Sequence, residues 1–437
     1  MKGKHEFRDP IHSFIQVDSA ERRVIDSVPF QRLRHIHQLA MTYLVYPSAT
    51  HRRFEHSLGV MDLANRVYEI VTEPENVHPD TRSVVHQPGS PEYSYWQRAI
   101  RIAALCHDIG HLPFSHAAEK ELLPHGWDHE RLTVELIRSA SMRNIWQEMT
   151  PPLRADDIVK LAVGPKKAPP ELVYSDWESI LAEIIVGDAF GTDRMDYLLR
   201  DSYHLGVAYG HFDLHRLVQT IRILPRHDKD SEEPALGVEV GGLESAEALM
   251  LARYFMYKQV YFHHVRRIYD IHLKEFLKSW LPGGKFGTEV EEHLRMTDNE
   301  VLTGLRDVYG RPDHPGYTSA SHIIDREHFK LLYERNPTDQ KRNPKSAEAI
   351  YDAACSELGP DALRFDPYDK AQEIPDFPVL GRDDRISSSL SASAVLAKVP
   401  VLAVDFVFAR RDVFVDSEKW LRKNREAIIG DDEEEDE

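Results

Sequence analysis

The sequence predicts a mostly α-helical protein, with a helical core over 1–280 and a smaller α+β region over 281–430. Three observations predict it. Apolar residues recur at helical spacing over long stretches, above all 53–72, 93–109 and 243–276. Segments rich in Pro, Gly and Ser separate such stretches, at 73–91, 151–152 and 281–284. β-Branched runs are few. Ile221–Leu224 with Leu236–Val240 reads as a strand pair, and Val399–Phe408 is the best strand of the C-terminal half.

The elements follow in order. Phe7–Val17 reads as a short extended segment or hairpin. Ser19 opens a helix, and Asp26 with Pro29 opens another over Phe30–Leu39. Met41–Ser48 is apolar and aromatic, a loop or short strand. Helix is expected over Arg53–Thr72 and again over Tyr93–Ile109, with a surface loop tolerant of insertion between them. His129 opens a helix to Ser139. Asp156–Val163, Trp177–Val186 and Phe212–Thr220 are further helices. Leu243–Phe276 reads as one long aromatic-rich helix.

The composition shifts at Leu281-Pro282-Gly283-Gly284, the expected domain boundary. Thr297 is placed to cap a helix beginning Asp298-Asn299-Glu300. Arg335–Lys345 is charged and expected to be mobile. Trp420–Ile429 reads as a last short helix. The acidic tail 431–437 holds no apolar residue and is expected to be disordered.

Composition sets limits on function. A chain of 437 residues can bury a large core and hold two or three domains. Its 42% hydrophobic and 29% charged content is ordinary for a soluble globular protein. The net charge is 54 − 72 = −18, which argues against a broad duplex-DNA binder but leaves room for a local phosphate pocket. Cys106 and Cys355 cannot build a disulfide framework, so a reducing cytoplasm is expected. Cys106 lies inside an apolar run and reads as a small core residue. Met1 to Glu6 carries no apolar signal region. No run reaches the roughly 18 apolar residues of a membrane span.

One stretch stands apart: His107-Asp108-Ile109-Gly110-His111-Leu112-Pro113-Phe114-Ser115-His116, following the apolar run Ile100–Cys106. An imidazole and a carboxylate are costly to bury unless each finds a partner. A divalent metal partners both at once. His111 follows His107 by four positions and shares its face while the helix persists, and Pro113 ends it.

Two further segments, Arg52-Arg53-Phe54-Glu55-His56-Ser57-Leu58-Gly59 upstream and Gly191-Thr192-Asp193-Arg194-Met195-Asp196-Tyr197 downstream, complete an H…HD…D pattern. This pattern resembles the HD-domain phosphohydrolases. Phe30-Gln31-Arg32-Leu33-Arg34, Gln38-Leu39, Arg200-Asp201 and His204-Leu205-Gly206 narrow the resemblance to the dNTP triphosphohydrolase branch, without a sterile-alpha-motif domain. It is dense from about Asp9 to His264 and thin beyond.

The resemblance implies a metal set of His56, His107, Asp108 and Asp193. Two imidazoles and two carboxylates suit Mn, Fe, Co, Ni or Zn, with Mg accompanying a substrate triphosphate. It nominates His111, His116, Glu119 and His129 as catalytic, with His116 protonating the leaving 5′ oxygen and Glu119 orienting His129. Glu119 stands where animal members have Asp. By the same resemblance, Arg53 and Arg194 meet phosphate, the latter in place of a lysine. Tyr197 and Asp201 hold the sugar. Gln38 and Leu39 exclude a 2′-hydroxyl. Arg253, Tyr257 and Tyr261 meet phosphate, base and sugar edge, Tyr257 replacing a histidine.

Activator contacts are matched only in part. Asp26, Gln31 and Arg34 match positions for a guanine activator, and Arg216, Arg326 and Lys330 match positions for a second nucleotide. Two lysines of the animal members appear here as His5 and His264, which removes two permanent charges.

The implied reaction converts a dNTP and water into a deoxynucleoside and triphosphate. An HD-type nuclease or phosphodiesterase acting on single-stranded nucleic acid or another nucleotide is the alternative, and a non-catalytic scaffold a third. The intact ligand set argues against the scaffold. A nucleotide substrate, a nucleotide activator and a homo-oligomer, dimer or tetramer, are the expected partners, with no membrane. The oligomer is expected because Tyr254, Phe255, Tyr257, Tyr261, Phe262 and Tyr269 face several sides of one helix.

Overall fold

The computed structural model describes residues 4–115, 119–228, 231–367, 374–400 and 404–430. The chain is mostly helical there, with three small sheets, as the sequence predicts. Lys4–Asp9 and Ser13–Asp18 form an antiparallel hairpin that pairs Lys4 with Asp18 and Asp9 with Ser13. Asp18 then caps the Ser19–Ile25 helix in a reciprocal box with Glu21.

The chain divides into two units that interleave along the sequence. The first comprises Met1–Met256, Phe286–Val301 and Ile374–Pro400; the second comprises Tyr257–Lys285, Leu302–Glu373 and Val401–Glu437. The helix expected over Leu243–Phe276 is broken near the point where the first unit passes to the second. Leu243–Met256 is α-helical, Tyr257–Tyr261 is a π-helical turn, and helix resumes over His264–Trp280. Phe286 then returns its N–H to Leu122 O (2.8 Å), and Pro378–Leu380 adds a parallel strand beside Val238.

In the first unit the Arg53–Thr72 helix is central. It buries Leu58, Val60, Met61, Leu63, Val67, Tyr68 and Val71, each worth about 1.5–3 kcal/mol relative to exposure. Glu55 accepts the Arg52 N–H (2.7 Å) and fixes its start. The helices Pro91–Cys106, Asp176–Val186 and Thr192–Leu205 pack against it. Pro91 occupies the first turn of its helix, where Ser90 Oγ accepts the Tyr93 N–H (3.0 Å). Ile221–Asp228 and Ser231–Glu239 pair antiparallel, longer than the strands expected. Cys106 is fully buried and burial pushes its thiol pKa up, as a core residue requires.

Several segments differ from expectation. The helix expected over Phe30–Leu39 covers only Val28–Arg32, followed by a 3₁₀ turn at Leu33–His35. Ile36 is extended, and His37 bridges to Arg52. The 73–91 loop is anchored: Val77, Thr81 and Val85 are buried, and Thr81 Oγ1 donates to Ile223 O (3.2 Å). Pro337–Arg342 is a helix, capped by Asn336 and tied through Asp339 to Arg425.

The second unit centres on a three-stranded sheet with Asp405–Ala409 between Lys330–Glu334 and Leu363–Pro367. Phe262, Ile268, Phe329, Phe406 and Phe408 form a core, with Tyr257 packed on it. The last helix runs Phe414–Ile429, longer than read from sequence. Residues 401–403 of the expected strand and the tail 431–437 lie outside the described residues. No helix among the described residues is long and apolar enough to cross a membrane.

Candidate metal centre and its surroundings

Three elements of the first unit bring His56, His107, Asp108 and Asp193 together. His56 lies one turn into the Arg53–Thr72 helix. His107 and Asp108 follow directly after the helix that ends at Cys106, one turn sooner than the sequence suggests. Asp193 sits in the first turn of the Thr192–Leu205 helix, whose cap at Gly191 uses no side chain. Ligand atoms of His56, His107 and Asp108 all lie within 4.8 Å of one another. Asp193 Oδ1 is 3.0 Å from His56 Nε2 and 3.4 Å from His107 Nε2.

The outer nitrogens of both rings are occupied by the protein. His107 Nδ1 donates to Ala104 O (2.7 Å), and His56 Nδ1 meets Asp196 Oδ2 (2.7 Å). Such partners fix the tautomer and leave Nε2 as the electron donor. His107 Nε2 is buried and makes no hydrogen bond. Two imidazole nitrogens and two carboxylates facing one point repel each other unless a cation joins them. A divalent metal fits these residues.

The electrostatics agree. Burial works against a charged His56, but its bonds to Asp193 and Asp196 outweigh that and raise its pKa to about 10. Burial likewise opposes a charged His107, and Asp108 and Asp193 raise its pKa nonetheless. The attraction that holds a proton on these rings also favours a metal in its place. Asp108 resists the effect of burial because Arg53, His107 and His111 hold its carboxyl well below the usual range.

Arg53 is the cation nearest the cage. Its guanidinium pairs with Asp108 and its Nε donates to Ser115 Oγ (2.9 Å). His111 Nε2 is 3.2 Å from Asp108 Oδ1, and the His111 ring stacks on His129 with centroids 4.0 Å apart. Glu119 Oε1 accepts the His129 backbone N–H (2.6 Å) and is 2.7 Å from its Nδ1. Thus Arg53 and His111 both meet Asp108, and His111, His129 and Glu119 form a chain leading away from the cage. His116 lies outside the described residues.

Other sequence-nominated residues are placed as follows. Gln38 and Leu39 are buried in a turn that puts Ala40 at φ +48°, and the Gln38 amide oxygen has no hydrogen-bond partner. Asp201 is buried and its Oδ1 lies 2.6 Å from His51 Nε2; Tyr197, four residues earlier on the same helix, is half-buried. Arg194 is turned onto the carbonyls of Gly187 (3.0 Å) and Asp188, and Arg253 donates to the same Asp188 carbonyl (3.3 Å). Arg253 lies on the Leu243–Met256 helix of the first unit, and Tyr257 and Tyr261 follow it in sequence. They belong to the π turn of the second unit, with rings 5.0 Å apart.

The candidate activator residues come from both units. Asp26 pairs with Arg22, while Arg34 Nε donates to Gln31 Oε1 (3.0 Å) and covers the Phe54 ring. Arg216, in the first unit, donates to Gly241 O (2.7 Å). His264, Arg326 and Lys330 belong to the second unit, where burial, His263 and Lys330 lower the His264 pKa.

Sequence reasoning missed the shell behind the ligands. His12, Asp9 and His51 carry no local signal, because their partners lie far along the chain: His12 meets Asp196, Asp9 meets Arg200 and His51 meets Asp201.

A helical cage of this donor set defines a metal-dependent hydrolase. Residues 53–171 match the HD domain and residues 212–344 the HD-associated region. The chain belongs to the HD-domain phosphohydrolases. It is 36% identical over 299 residues to an uncharacterised protein of Methanocaldococcus jannaschii, covering 68% of this chain and 54% of that protein. It is 31% identical over 373 residues to the deoxynucleoside triphosphate triphosphohydrolase SAMHD1 of Homo sapiens, covering 76% of this chain and 55% of that protein. The chain thus spans about half the length of these curated relatives. A crystal structure of a hypothetical protein from Aquifex aeolicus matches with a TM-score of 0.76 and 31% identity, covering 96% of this chain and all of that one.

Proposed function

We propose that this protein is a metal-dependent dNTP triphosphohydrolase of a reducing cytoplasm, cleaving a dNTP with water into a deoxynucleoside and triphosphate. The observation that carries it is the His56, His107, Asp108 and Asp193 cage with a second, imidazole-rich chain beside it. The triphosphohydrolase names of relatives near 30% identity supply the substrate class.

A divalent metal in the cage would neutralise phosphoryl charge and make a water more acidic. Arg53, already beside Asp108, offers a guanidinium to an α-phosphate oxygen. Arg194 and Arg253 converge on one carbonyl and carry the charge to meet the outer phosphates. His129, held by Glu119, is poised to carry a proton, and His111 beside it to remain neutral. His116 is proposed to protonate the 5′ oxygen as its bond to phosphorus breaks. Asp26, Gln31, Arg34, Arg216, His264, Arg326 and Lys330 remain proposed activator contacts.

The test is incubation with each dNTP, each NTP and single-stranded DNA, with Mn or Mg, and identification of products. Triphosphate and deoxynucleoside are the expected products. Nucleoside monophosphates or shortened DNA would replace this reading with the nuclease one.

A further inference from the structure

We infer that His12, in the turn of the N-terminal hairpin, is a positioning residue for the metal cage, acting through Asp196 on His56. The inference rests on the metal reading above and concerns how the cage is held.

The turn is built to deliver His12. Asp9 Oδ1 accepts the backbone N–H groups of Ile11 and His12, both at 2.8 Å, and Ser13 leaves the turn at φ +65°. Asp9 Oδ2 meanwhile takes Arg200 Nη1 at 2.8 Å. One carboxylate thus shapes the turn and ties it to the Thr192–Leu205 helix, which also carries the ligand Asp193. His12 Nε2 lies 2.6 Å from Asp196 Oδ1, and neither side chain is exposed.

Asp196 is fully committed. Its Oδ1 meets His12 Nε2 (2.6 Å) and Arg200 Nη2 (2.9 Å), and its Oδ2 meets His56 Nδ1 (2.7 Å) and Arg200 Nε (2.8 Å). An ionised carboxylate offers about four acceptor sites, and all are used here. Such an acceptor requires both imidazoles to donate. His56 therefore donates through Nδ1, so Nε2, which faces Asp193 Oδ1 at 3.0 Å, is the nitrogen that would give its lone pair to a metal. His12 donates through Nε2, leaving a buried Nδ1 with no hydrogen-bond partner.

The packing leaves no slack. A Cβ on Gly59 would stand 2.1 Å from Asp196 Oδ1 and 2.4 Å from Arg200 Nη2. The helix carrying His56 is pressed onto the Asp196–Arg200 pair, so Asp196 has little room on that side. His12 adds a fixed donor to the same carboxylate oxygen that faces Gly59. Without its donor, Asp196 and the His56 ring gain freedom, and the cage loses preorganisation.

The test measures Mn or Co affinity of the full chain by calorimetry, with thermal melting in parallel. His12→Ala should weaken metal binding about 10-fold, the lower end of the range for loss of a ligand's own orienting partner, because Asp196 keeps its bonds to His56 and Arg200. His12→Gln retains an N–H donor and should recover much of that loss. Ile15→Ala, in the buried core of the same hairpin, controls for general loosening. It should lower the melting temperature with metal affinity nearly unchanged. The inference is overturned if His12→Ala binds metal like the parent, or if Ile15→Ala weakens binding as much as His12→Ala. A parent protein that takes up no metal would instead overturn the metal reading, and this inference with it.

Discussion

The imidazoles of His111 and His129 stack with centroids 4.0 Å apart, yet their surroundings shift their pKa values in opposite directions. Burial, Arg53 and His129 hold His111 well below its usual pKa. Burial acts the same way on His129, but Glu119 and Glu130 outweigh it and raise that pKa. Two stacked rings whose affinities for a proton are pushed apart suit the passing of a proton.

The first prediction follows from Glu119. If His129 acts as a protonated group, its raised pKa extends activity toward alkaline pH. Glu119→Gln removes the carboxylate charge and lowers the His129 pKa. The alkaline limb of the kcat profile should therefore move to lower pH. His129→Ala should lower kcat by about 10²- to 10⁴-fold. An unmoved alkaline limb in the Glu119→Gln variant would remove His129 from the proton path.

The second prediction concerns the metal ligands. Changing His107 and Asp108 together leaves Arg53 buried without its carboxylate, a loss that costs stability in its own right. Asp193 is the cleaner choice, because its side chain is 34% exposed. Asp193→Ala should abolish hydrolysis and metal uptake while circular dichroism remains helical. Chelation should lower the melting temperature of the parent and barely change that of the variant. Full activity in the metal-stripped variant would sink the cage.

Much of this site was legible in the sequence and part was not, for one physical reason. His56, His107, Asp108 and Asp193 sit at helix ends or first turns, where short patterns mark them. The helices Arg53–Thr72, His129–Arg138 and Asp176–Val186 follow their apolar periodicity closely. What failed depends on distant partners. The break at Tyr257 interrupts an unbroken apolar pattern, because Tyr257 and Phe262 pack into the second unit's core. The turn after Leu33 is set by pairing of His37 with Arg52 and by Asp298 accepting the His37 N–H (2.8 Å). No window around Gln31 contains those partners.

The third prediction concerns the sugar. The Gln38 amide oxygen is buried without a hydrogen-bond partner, and such groups cost about 1–3 kcal/mol. A hydrogen bond to a ligand would offset that cost. If the ligand is a deoxyribose, dNTPs should react much faster than NTPs, and Gln38→Ala should narrow that ratio. Equal parent rates on dATP and ATP would leave a general phosphohydrolase.

Stability against pH gives a fourth prediction. Burial raises the Glu183 pKa from 4.5 to about 7, although the Leu236 N–H (3.0 Å) opposes the shift. A raised folded-state pKa stabilises the fold below the unfolded value. That contribution is lost as pH climbs from 4.5 to about 7. Glu183→Gln keeps an acceptor and cannot ionise. Its unfolding free energy should depend less on pH across this window, and at pH 8 it should exceed the parent's by about 3 kcal/mol. Parallel pH profiles for the two proteins would show that Glu183 titrates normally.

The last prediction concerns assembly. The aromatic surface that suggested a subunit seam is smaller than the sequence implies. Tyr269 is buried, and Tyr257 and Phe262 belong to the core of the second unit. Phe255 remains 43% exposed at the end of the Leu243–Met256 helix, beside the half-buried Tyr254. The positive charge is partly answered as well. Arg267 is clasped by Asp366 (2.6 and 2.7 Å), and Arg266 lies 3.6 Å from Asp270. His264, Arg326 and Lys330 of the second unit stay the proposed contacts for a nucleotide phosphate. An oligomer, dimer or tetramer, is expected to form through the Phe255 surface and to be strengthened by a nucleotide at those residues. Sedimentation with and without dGTP reads this directly. Phe255→Ser should shift the protein toward monomer, and Lys330→Ala should remove only the dGTP effect. A parent protein that sediments as an active monomer under both conditions ends the assembly proposal and leaves the cage as a self-sufficient site.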